Sequence, residues 1–208
     1  MALEAVLFDL DNTLVLTDHL QDHRNSGARD LGGLRAALKM TQPVPGLEEA
    51  VSAVSTKVQL GIVTRSPRWY AEEVLRHFYP SVTWNVMVAG KEAARYKPYP
   101  DGLTHALREL NVSPQNCAYI GDDPDDMHAA YLAGVRPVLT LFKNRNLLSR
   151  YPEVAVWPLS HHEPALDSIA EDFCITPEYV LWRPGDLDRL VNEPDAMLPV
   201  LESSWRTE

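Results

Sequence analysis

The chain has few cysteines and no long apolar run. Two of its 208 residues are cysteines, Cys117 and Cys174, which lie far apart and form no CxxC pair. A disulfide framework or a cysteine metal site is therefore not indicated, and we expect both thiols to be reduced. No stretch approaches the roughly 18–20 apolar residues that span a membrane, and no basic, signal-like segment opens the sequence. These absences favour a cytoplasmic protein without a membrane partner.

Basic residues are also scarce. Lys and Arg number 19 against 29 Asp and Glu, which gives a net charge of −10. A protein this acidic repels polyanions on average, so an extended nucleic-acid interface is disfavoured. The sequence has no internal repeat or low-complexity segment, and its length and 45% apolar composition suit one globular domain over residues 1–208.

Short apolar runs alternate with helical patterns along the chain. Near-continuous apolar runs predict buried strands at 5–10, 58–64, 84–90, 117–122, 135–141 and 178–182. Apolar residues at helical spacing predict helices at 46–56, 66–78, 101–110, 125–134 and 184–191. In the second helix we expect Ser66 as the N-cap and Pro67 at the first helical position. The alternation predicts an α/β fold, a Rossmann-like parallel sheet flanked by helices.

Three segments depart from this alternation. Residues 15–42 form an insert. Its sequence pattern predicts two short helices, at about 17–24 and 29–40, with an interruption at 25–27. The sequence pattern of residues 143–175 predicts an irregular insertion. This insertion would be either a lid over the site or an interface. Residues 192–208 are a tail without a recognisable pattern.

Polar residues stand where three predicted strands end. Asp9 and Asp11 follow the first strand, Thr64 ends the second, and Asp122 follows "AYIG". Ligands of open α/β sheets bind at the carboxyl ends of the strands, so we expect these side chains to converge. Taken singly, each has an ordinary alternative: a cap or Asx-turn, a strand end, or acidic residues at a helix N-terminus in "GDDPDD".

The order of these residues resembles the four motifs of the haloacid dehalogenase-like (HAD) superfamily. "FDLDNTL" matches the first motif, DxDxT, and Thr64 in "GIVTRS" matches the second. Lys97 in "KPYPDGL" resembles the third motif, a lysine followed by Pro-x-Pro. "IGDDPDDMHAAYLAG" resembles the fourth, GDxxxD, with Asp122 and Asp126 at its spacing. The four motifs occur in order within residues 5–141.

The resemblance implies a role for each aspartate of the first motif. Asp9 would be the nucleophile that forms an aspartyl-phosphate intermediate. Asp11 would protonate the leaving oxygen and later activate the attacking water. Both carboxylates must reach the phosphate, and we expect a backbone turn near Asn12.

The other motif residues would bind the phosphate and a Mg²⁺ ion. Phosphate contacts would come from the Thr64 hydroxyl, the Lys97 ammonium, and the backbone amides of Asn12 and Arg65. Mg²⁺ is a hard cation that prefers oxygen. Its implied ligands are Asp9, Asp11 through its carbonyl, and Asp122, with Asp126 either a ligand or a neighbour of the ligands.

Asp11 also separates branches of the superfamily. A phosphate ester needs its leaving group protonated whereas a halide does not, so Asp11 favours a phosphatase over a dehalogenase. The implied partner is a small phosphorylated substrate, with phosphotransfer to a sugar hydroxyl as an alternative. A phosphatase for nucleic-acid ends or phosphoproteins, and a non-catalytic binding protein on the same fold, also remain open.

In the superfamily that the sequence resembles, substrate specificity usually comes from a cap inserted after the first or second motif. Here the cap is limited to residues 15–42, which is smaller than the four-helix cap of small-sugar phosphatases and leaves the site more open. Candidate substrate-selecting side chains are His19, His23, Arg24 and Arg68. Arg65 is a candidate for gripping a second anionic group, with a solvated surface arginine as the alternative.

Overall fold

The computed structural model describes residues 2–25, 29–142, 179–181 and 183–193. The strands are β1 Ala5–Phe8, β2 Gln59–Thr64, β3 Val86–Ala89, β4 Cys117–Gly121, β5 Arg136–Thr140 and β6 Tyr179–Leu181. The α-helices are α1 Gln21–Asn25, α2 Leu31–Leu38, α3 Leu47–Val54, α4 Arg68–Phe78, α5 Asp101–Leu110, α6 Pro124–Ala133 and α7 Asp186–Asn192. Each predicted strand and helix has a counterpart here. The predicted insertion at 143–175 and most of the tail lie outside the described residues.

The six strands form one parallel sheet in the order β3-β2-β1-β4-β5-β6. β1 lies between β2 and β4, and its last residue, Phe8, is in register with Ile62 and Ile120. The strand order reverses between β1 and β4, which is where ligands bind in sheets of this kind. The predicted Rossmann-like α/β fold is confirmed, and it brings the ends of β1, β2 and β4 side by side.

Both faces of the sheet are covered by apolar residues. Val6 and Phe8 of β1 contribute to the larger buried cluster, which includes residues of α3, α4 and α7. Ala5 and Leu7 contribute to a second cluster with residues of α5 and α6. Burial on both faces explains why the strand sequences are apolar without alternation. No helix in the described part of the chain is long and apolar enough to cross a membrane.

The insert after β1 packs onto the larger cluster. Its helices α1 and α2 lie within or close to the predicted spans, and Leu20, Leu34 and Leu38 are buried in that cluster. On the surface, Arg35 Nε of α2 lies 2.6 Å from Glu73 Oε1 of α4. The described part of the insert is therefore fixed to the core by apolar packing and an ion pair. Its role as a cap stays a prediction.

The start of α4 differs from the prediction. Ser66 is not the N-cap: Pro67 occupies that position with φ −58° and ψ 142°, and no side chain caps the helix. The Ser66 hydroxyl instead donates to the carboxylate of Asp11. Pro67 has an extended ψ and its carbonyl accepts from the amides of Tyr70 and Ala71, so the helix begins at Arg68. The predictions of Ser66 as the N-cap and Pro67 as the first helical residue were therefore each wrong by one position.

Candidate active site

A turn directly after β1 directs two carboxylates into one space. The backbone of Asp9 still pairs with the sheet, donating to the Ile120 carbonyl at 2.8 Å. Asn12 then adopts φ 63°, a left-handed conformation that asparagine tolerates better than most residues. The amides of Leu14 and Val15 both donate back to the carbonyl of residue 10. The predicted turn near Asn12 is confirmed.

A cavity of about 470 Å³ opens at this carboxyl edge of the sheet. Its lining includes most of the residues that the sequence predicts for the site: Asp9, Asp11, Asn12, Arg24, Thr64, Arg65, Lys97 and Asp122. Five of its lining residues are aspartates and three are lysine or arginine. A cavity this acidic favours a bound cation, and its basic side chains offer positions for anions.

The Lys97 ammonium lies at the centre of the buried charges. Its Nζ donates to Asp9 Oδ1 at 2.7 Å, to Asp126 Oδ1 at 2.5 Å and to the Tyr119 hydroxyl at 2.9 Å. Tyr119 in turn donates to the carbonyl of Val63 at 2.9 Å. Tyr119 was not predicted as part of the site. A phenol within an otherwise apolar strand was the available signal, since a buried hydroxyl needs a polar partner.

Burial and the neighbouring charges both shift the pKa values of this cluster. Burial raises the pKa of Asp9, and Lys97 opposes that rise while Asp126 and Asp11 add to it. Burial alone would lower the pKa of Lys97, but Asp126 and Asp9 outweigh it and hold that pKa well above its usual value. Lys97 therefore stays protonated and partly offsets the carboxylates around it.

Three aspartates form a candidate metal site. Asp9, Asp122 and Asp126 each offer one oxygen, and these oxygens lie within 4.8 Å of one another. Carboxylate oxygens are the ligands that Mg²⁺ prefers, so the donor set fits this ion. Asp126 is only 1% exposed, and both of its oxygens already accept hydrogen bonds, from Lys97 and from the amide of Asp123. Asp9 and Asp122, which line the cavity, are therefore the more accessible ligands.

The segment "GDDPDD" combines a helix cap with the site. Asp123 caps α6, accepting from the amide of Asp125 at 2.9 Å, and the Asp126 side chain completes the capping box. A Cβ at Gly121 would lie 2.3 Å from Asp126 Oδ2, so glycine is required for this close approach. The interpretation as a helix cap is thus correct for Asp123, which also lines the cavity together with Asp122.

Four side chains surround the carboxylate of Asp11. Thr17 Oγ1 donates to Oδ1 at 2.6 Å, and the Tyr70 hydroxyl donates to the same oxygen at 3.0 Å. Ser66 donates to Oδ2, and Arg24 Nη1 lies 3.2 Å from Oδ2. Burial and Asp11 raise the pKa of Tyr70, which keeps its phenol a neutral donor. Thr17, Ser66 and Tyr70 were not predicted as partners of Asp11.

Thr64 and Arg65 lie on the β2 side of the cavity. Thr64 is buried, and its Oγ1 accepts from the amide of Ser66 at 3.1 Å. Arg65 is about half exposed and extends towards α6, where Nη1 lies 2.9 Å from Asp125 Oδ2. Both residues reach the cavity, but the Arg65 guanidinium is engaged in an ion pair at its rim.

Some of the residues predicted to contact the substrate make contacts outside the cavity or within the turn. His19 Nε2 is 2.8 Å from Thr41 Oγ1, Arg68 pairs with Glu92, and neither of these two residues nor His23 belongs to the cavity lining. The Asn12 amide donates to the Val15 carbonyl at 2.7 Å and is engaged within the turn. Of the four candidates for substrate selection, Arg24 is the one that lines the cavity.

Comparisons with known proteins match this architecture. The family model for haloacid dehalogenase-like hydrolases matches residues 32–140. Among curated relatives, a phosphoglycolate phosphatase of Xylella fastidiosa (strain 9a5c) is 31% identical over 112 residues, covering 51% of this chain and 47% of that protein. A validoxylamine A 7'-phosphate phosphatase of Streptomyces hygroscopicus subsp. limoneus is 35% identical over 79 residues, covering 38% and 37%. The matches thus span less than half the length of these relatives.

Solved structures share the fold at low sequence identity. CbbY from Rhodobacter sphaeroides in complex with phosphate superposes with a TM-score of 0.61 at 20% identity, covering 90% of this chain and 96% of that one. L-2-haloacid dehalogenase from Xanthobacter autotrophicus gives a TM-score of 0.65 at 14% identity, covering 92% and 99%. Because a phosphate-bound protein and a haloacid dehalogenase both share this fold, the fold alone does not identify the reaction.

Proposed function

The chain belongs to the haloacid dehalogenase-like hydrolase family, and we propose that it is a Mg²⁺-dependent phosphatase acting through an aspartyl-phosphate. One observation carries the proposal. The buried carboxylates of Asp9 and Asp11 line the same cavity, which supports a role as nucleophile for Asp9 and a role as acid for Asp11. A dehalogenase would have no use for a second carboxylate held at this position.

The proposed reaction has two steps. In the first, an Asp9 oxygen forms a bond to phosphorus while the ester oxygen departs with a proton from Asp11. In the second, Asp11 takes a proton from water, whose oxygen attacks phosphorus and releases Asp9 and inorganic phosphate. The donors around Asp11, which include Thr17 and Tyr70, would hold its carboxylate in place in both steps.

The groups next to Asp9 would neutralise the negative charge of the phosphoryl group. Lys97 would offset the charge of the phosphoryl oxygens, and Thr64 would hydrogen-bond one of them. Mg²⁺ would be held by Asp9, Asp122 and the backbone carbonyl of Asp11, where it would polarise the phosphoryl group. Asp126, whose oxygens accept from Lys97 and from the Asp123 amide, would position Lys97 for this role.

We propose a small phosphomonoester as the substrate. The names of the relatives refer to phosphoglycolate and validoxylamine A 7'-phosphate, which are both small. Residues 15–42 would serve as a small cap, because Asp18, Gln21, Arg24 and Asn25 contribute to the cavity lining. The net charge of −10 disfavours a polynucleotide substrate.

The test is phosphate release across sugar phosphates, phosphoglycolate, nucleotides and 3′- or 5′-phosphorylated oligonucleotides, with and without EDTA. We expect turnover that requires Mg²⁺, disappears in Asp9→Asn and persists in Asp125→Asn, a carboxylate that the cavity lining does not include. A folded protein that binds Mg²⁺ but releases no phosphate from any compound would contradict the proposal. Preference for oligonucleotides would replace the proposed substrate class.

A further inference from the structure

We propose that Arg24 is the binding site for a second anionic group on the substrate, carried by the leaving group of the phosphomonoester. This inference rests on the proposed function. It adds a substrate class, a phosphomonoester that also bears a carboxylate or a second phosphate, and one residue that selects it.

Arg24 lies next to Asp11, where the proposed reaction places the leaving group. In the proposed reaction Asp11 meets the departing oxygen, so the space next to Asp11 holds the part of the substrate that leaves. Arg24 Nη1 lies 3.2 Å from Asp11 Oδ2, its side chain is 22% exposed, and it lines the cavity. The phosphoryl group that is transferred would instead lie over Asp9, where Lys97 is bound.

The other two basic side chains of the cavity are committed elsewhere. Lys97 is buried between Asp9 and Asp126, with Nζ at 2.7 and 2.5 Å from their oxygens. Arg65 pairs with Asp125 at 2.9 Å on the rim. Among the described residues that line the cavity, Arg24 is thus the guanidinium facing the leaving-group side. A planar guanidinium also suits a carboxylate or phosphate, which it can bind with two parallel hydrogen bonds.

Arg24 can leave Asp11 for another anion without removing the other hydrogen-bond donors of Asp11. The Asp11 carboxylate also accepts hydrogen bonds from Thr17, Ser66 and Tyr70. If Arg24 turns to an incoming anion, Asp11 keeps these three hydroxyl donors and stays in place. The anion gains a charge-assisted hydrogen bond in a partly enclosed cavity, where such bonds are strong. The exchange would therefore favour substrates whose leaving group is itself charged.

The experiment measures binding separately from turnover. In the Asp9→Asn protein with Mg²⁺, we would titrate phosphoglycolate, 1,2-ethanediol bisphosphate and 2-hydroxyethyl phosphate by calorimetry, with and without Arg24→Gln. We expect Arg24→Gln to weaken at least one of the two charged ligands by about 10- to 100-fold and the neutral one by less than about threefold. The ligand with the larger loss identifies the anion as a carboxylate or a phosphate. Arg24→Lys should give an intermediate loss.

One control variant and two contrary outcomes make the test decisive. Arg35→Gln removes an arginine from the same insert that pairs with Glu73 and does not line the cavity, so it should leave the ligand preference unchanged. Equal weakening of charged and neutral ligands by Arg24→Gln, or no weakening, would overturn the subsite alone. Failure of all three ligands to bind the folded Asp9→Asn protein would overturn the proposed function together with the subsite.

Discussion

The two aspartates of the site lie two residues apart, yet their surroundings have different origins. Asp9 is surrounded by charge: Lys97 bridges it to Asp126, and Asp122 lies close by. Asp11 is surrounded by hydroxyl groups and one arginine, which come from the insert and from the start of α4. The environment of Asp9, the proposed nucleophile, is thus built on the sheet edge, and that of Asp11, the proposed acid, is built on the elements that cover it.

This difference suggests a division of labour. In the proposed reaction, the charged cluster supplies the groups that act on the phosphoryl group itself, whatever alcohol departs. The Asp11 environment includes Thr17 and Arg24 from the insert, and the proposed reaction places the leaving group next to Asp11. Changes near Asp9 should therefore affect all substrates alike, whereas changes near Asp11 should depend on the leaving group. Four predictions test this division, in order of decreasing effect.

Asp9→Asn should lower kcat by about 10⁴-fold or more on every substrate, because an amide cannot form the phosphoryl-enzyme bond. Steady-state phosphate release with an alkyl phosphate and with p-nitrophenyl phosphate checks this. The matched control is Asp125→Asn, which should stay close to wild type. Residual turnover that differs strongly between the two substrates would argue against Asp9 as the nucleophile.

Asp11→Asn should separate the two substrates. An alkyl alcohol is a poor leaving group and needs protonation, so we expect kcat to fall by about 10²- to 10⁴-fold. p-Nitrophenolate leaves without a proton, so the loss of Asp11 in the first step should matter far less. A burst of nitrophenol ahead of phosphate release would locate the remaining defect in the second step. Equal losses on both substrates in burst and steady state would remove the acid's role from Asp11.

Lys97→Met should weaken the fold as well as the reaction. It leaves Asp9 and Asp126 buried without their cation, and breaking a buried pair in this way costs about 3–5 kcal/mol of the free energy of unfolding. Urea denaturation measures this loss. Arg65→Met is the control, because its half-exposed pair with Asp125 should contribute less than about 1 kcal/mol. Equal losses in the two variants would contradict the buried, charged character of the Asp9 cluster.

The sequence predicted the sheet and the Asp9 cluster well, for a physical reason. Near-continuous apolar runs identify strands buried on both faces, and polar residues at their ends identify the functional edge. The strand order places the end of β1, with Asp9, beside the end of β4, with Asp122. Lys97, which precedes α5, and Asp126, within α6, were predicted only from their resemblance to the superfamily motifs.

The Asp11 environment could not be predicted in the same way. Tyr70 stands on the apolar stripe of α4, where a core residue is the ordinary expectation, and Thr17 and Ser66 suit turns or caps. The hydroxyls of Ser66 and Tyr70 reach Asp11 from the start of α4, and that of Thr17 reaches it from the insert. Local sequence patterns carry no information on how these segments pack together. Ser66 was predicted as a helix cap and proved to be a partner of the carboxylate instead.

Tyr70→Phe tests this environment most finely. The change removes one of the hydroxyls on Asp11, whose donor oxygen lies 3.0 Å from Oδ1, and it keeps the buried ring. We expect the free energy of unfolding to fall by about 1 kcal/mol and kcat on the alkyl phosphate to fall about three- to tenfold. KM and the burst with p-nitrophenyl phosphate should barely change, because neither depends on the orientation of the acid.

Tyr119→Phe removes the equivalent group from the Asp9 cluster. It should lower turnover of both substrates by the same factor. If the two tyrosine variants gave the same substrate dependence, the two aspartates would share one environment, and the division drawn between them would be wrong.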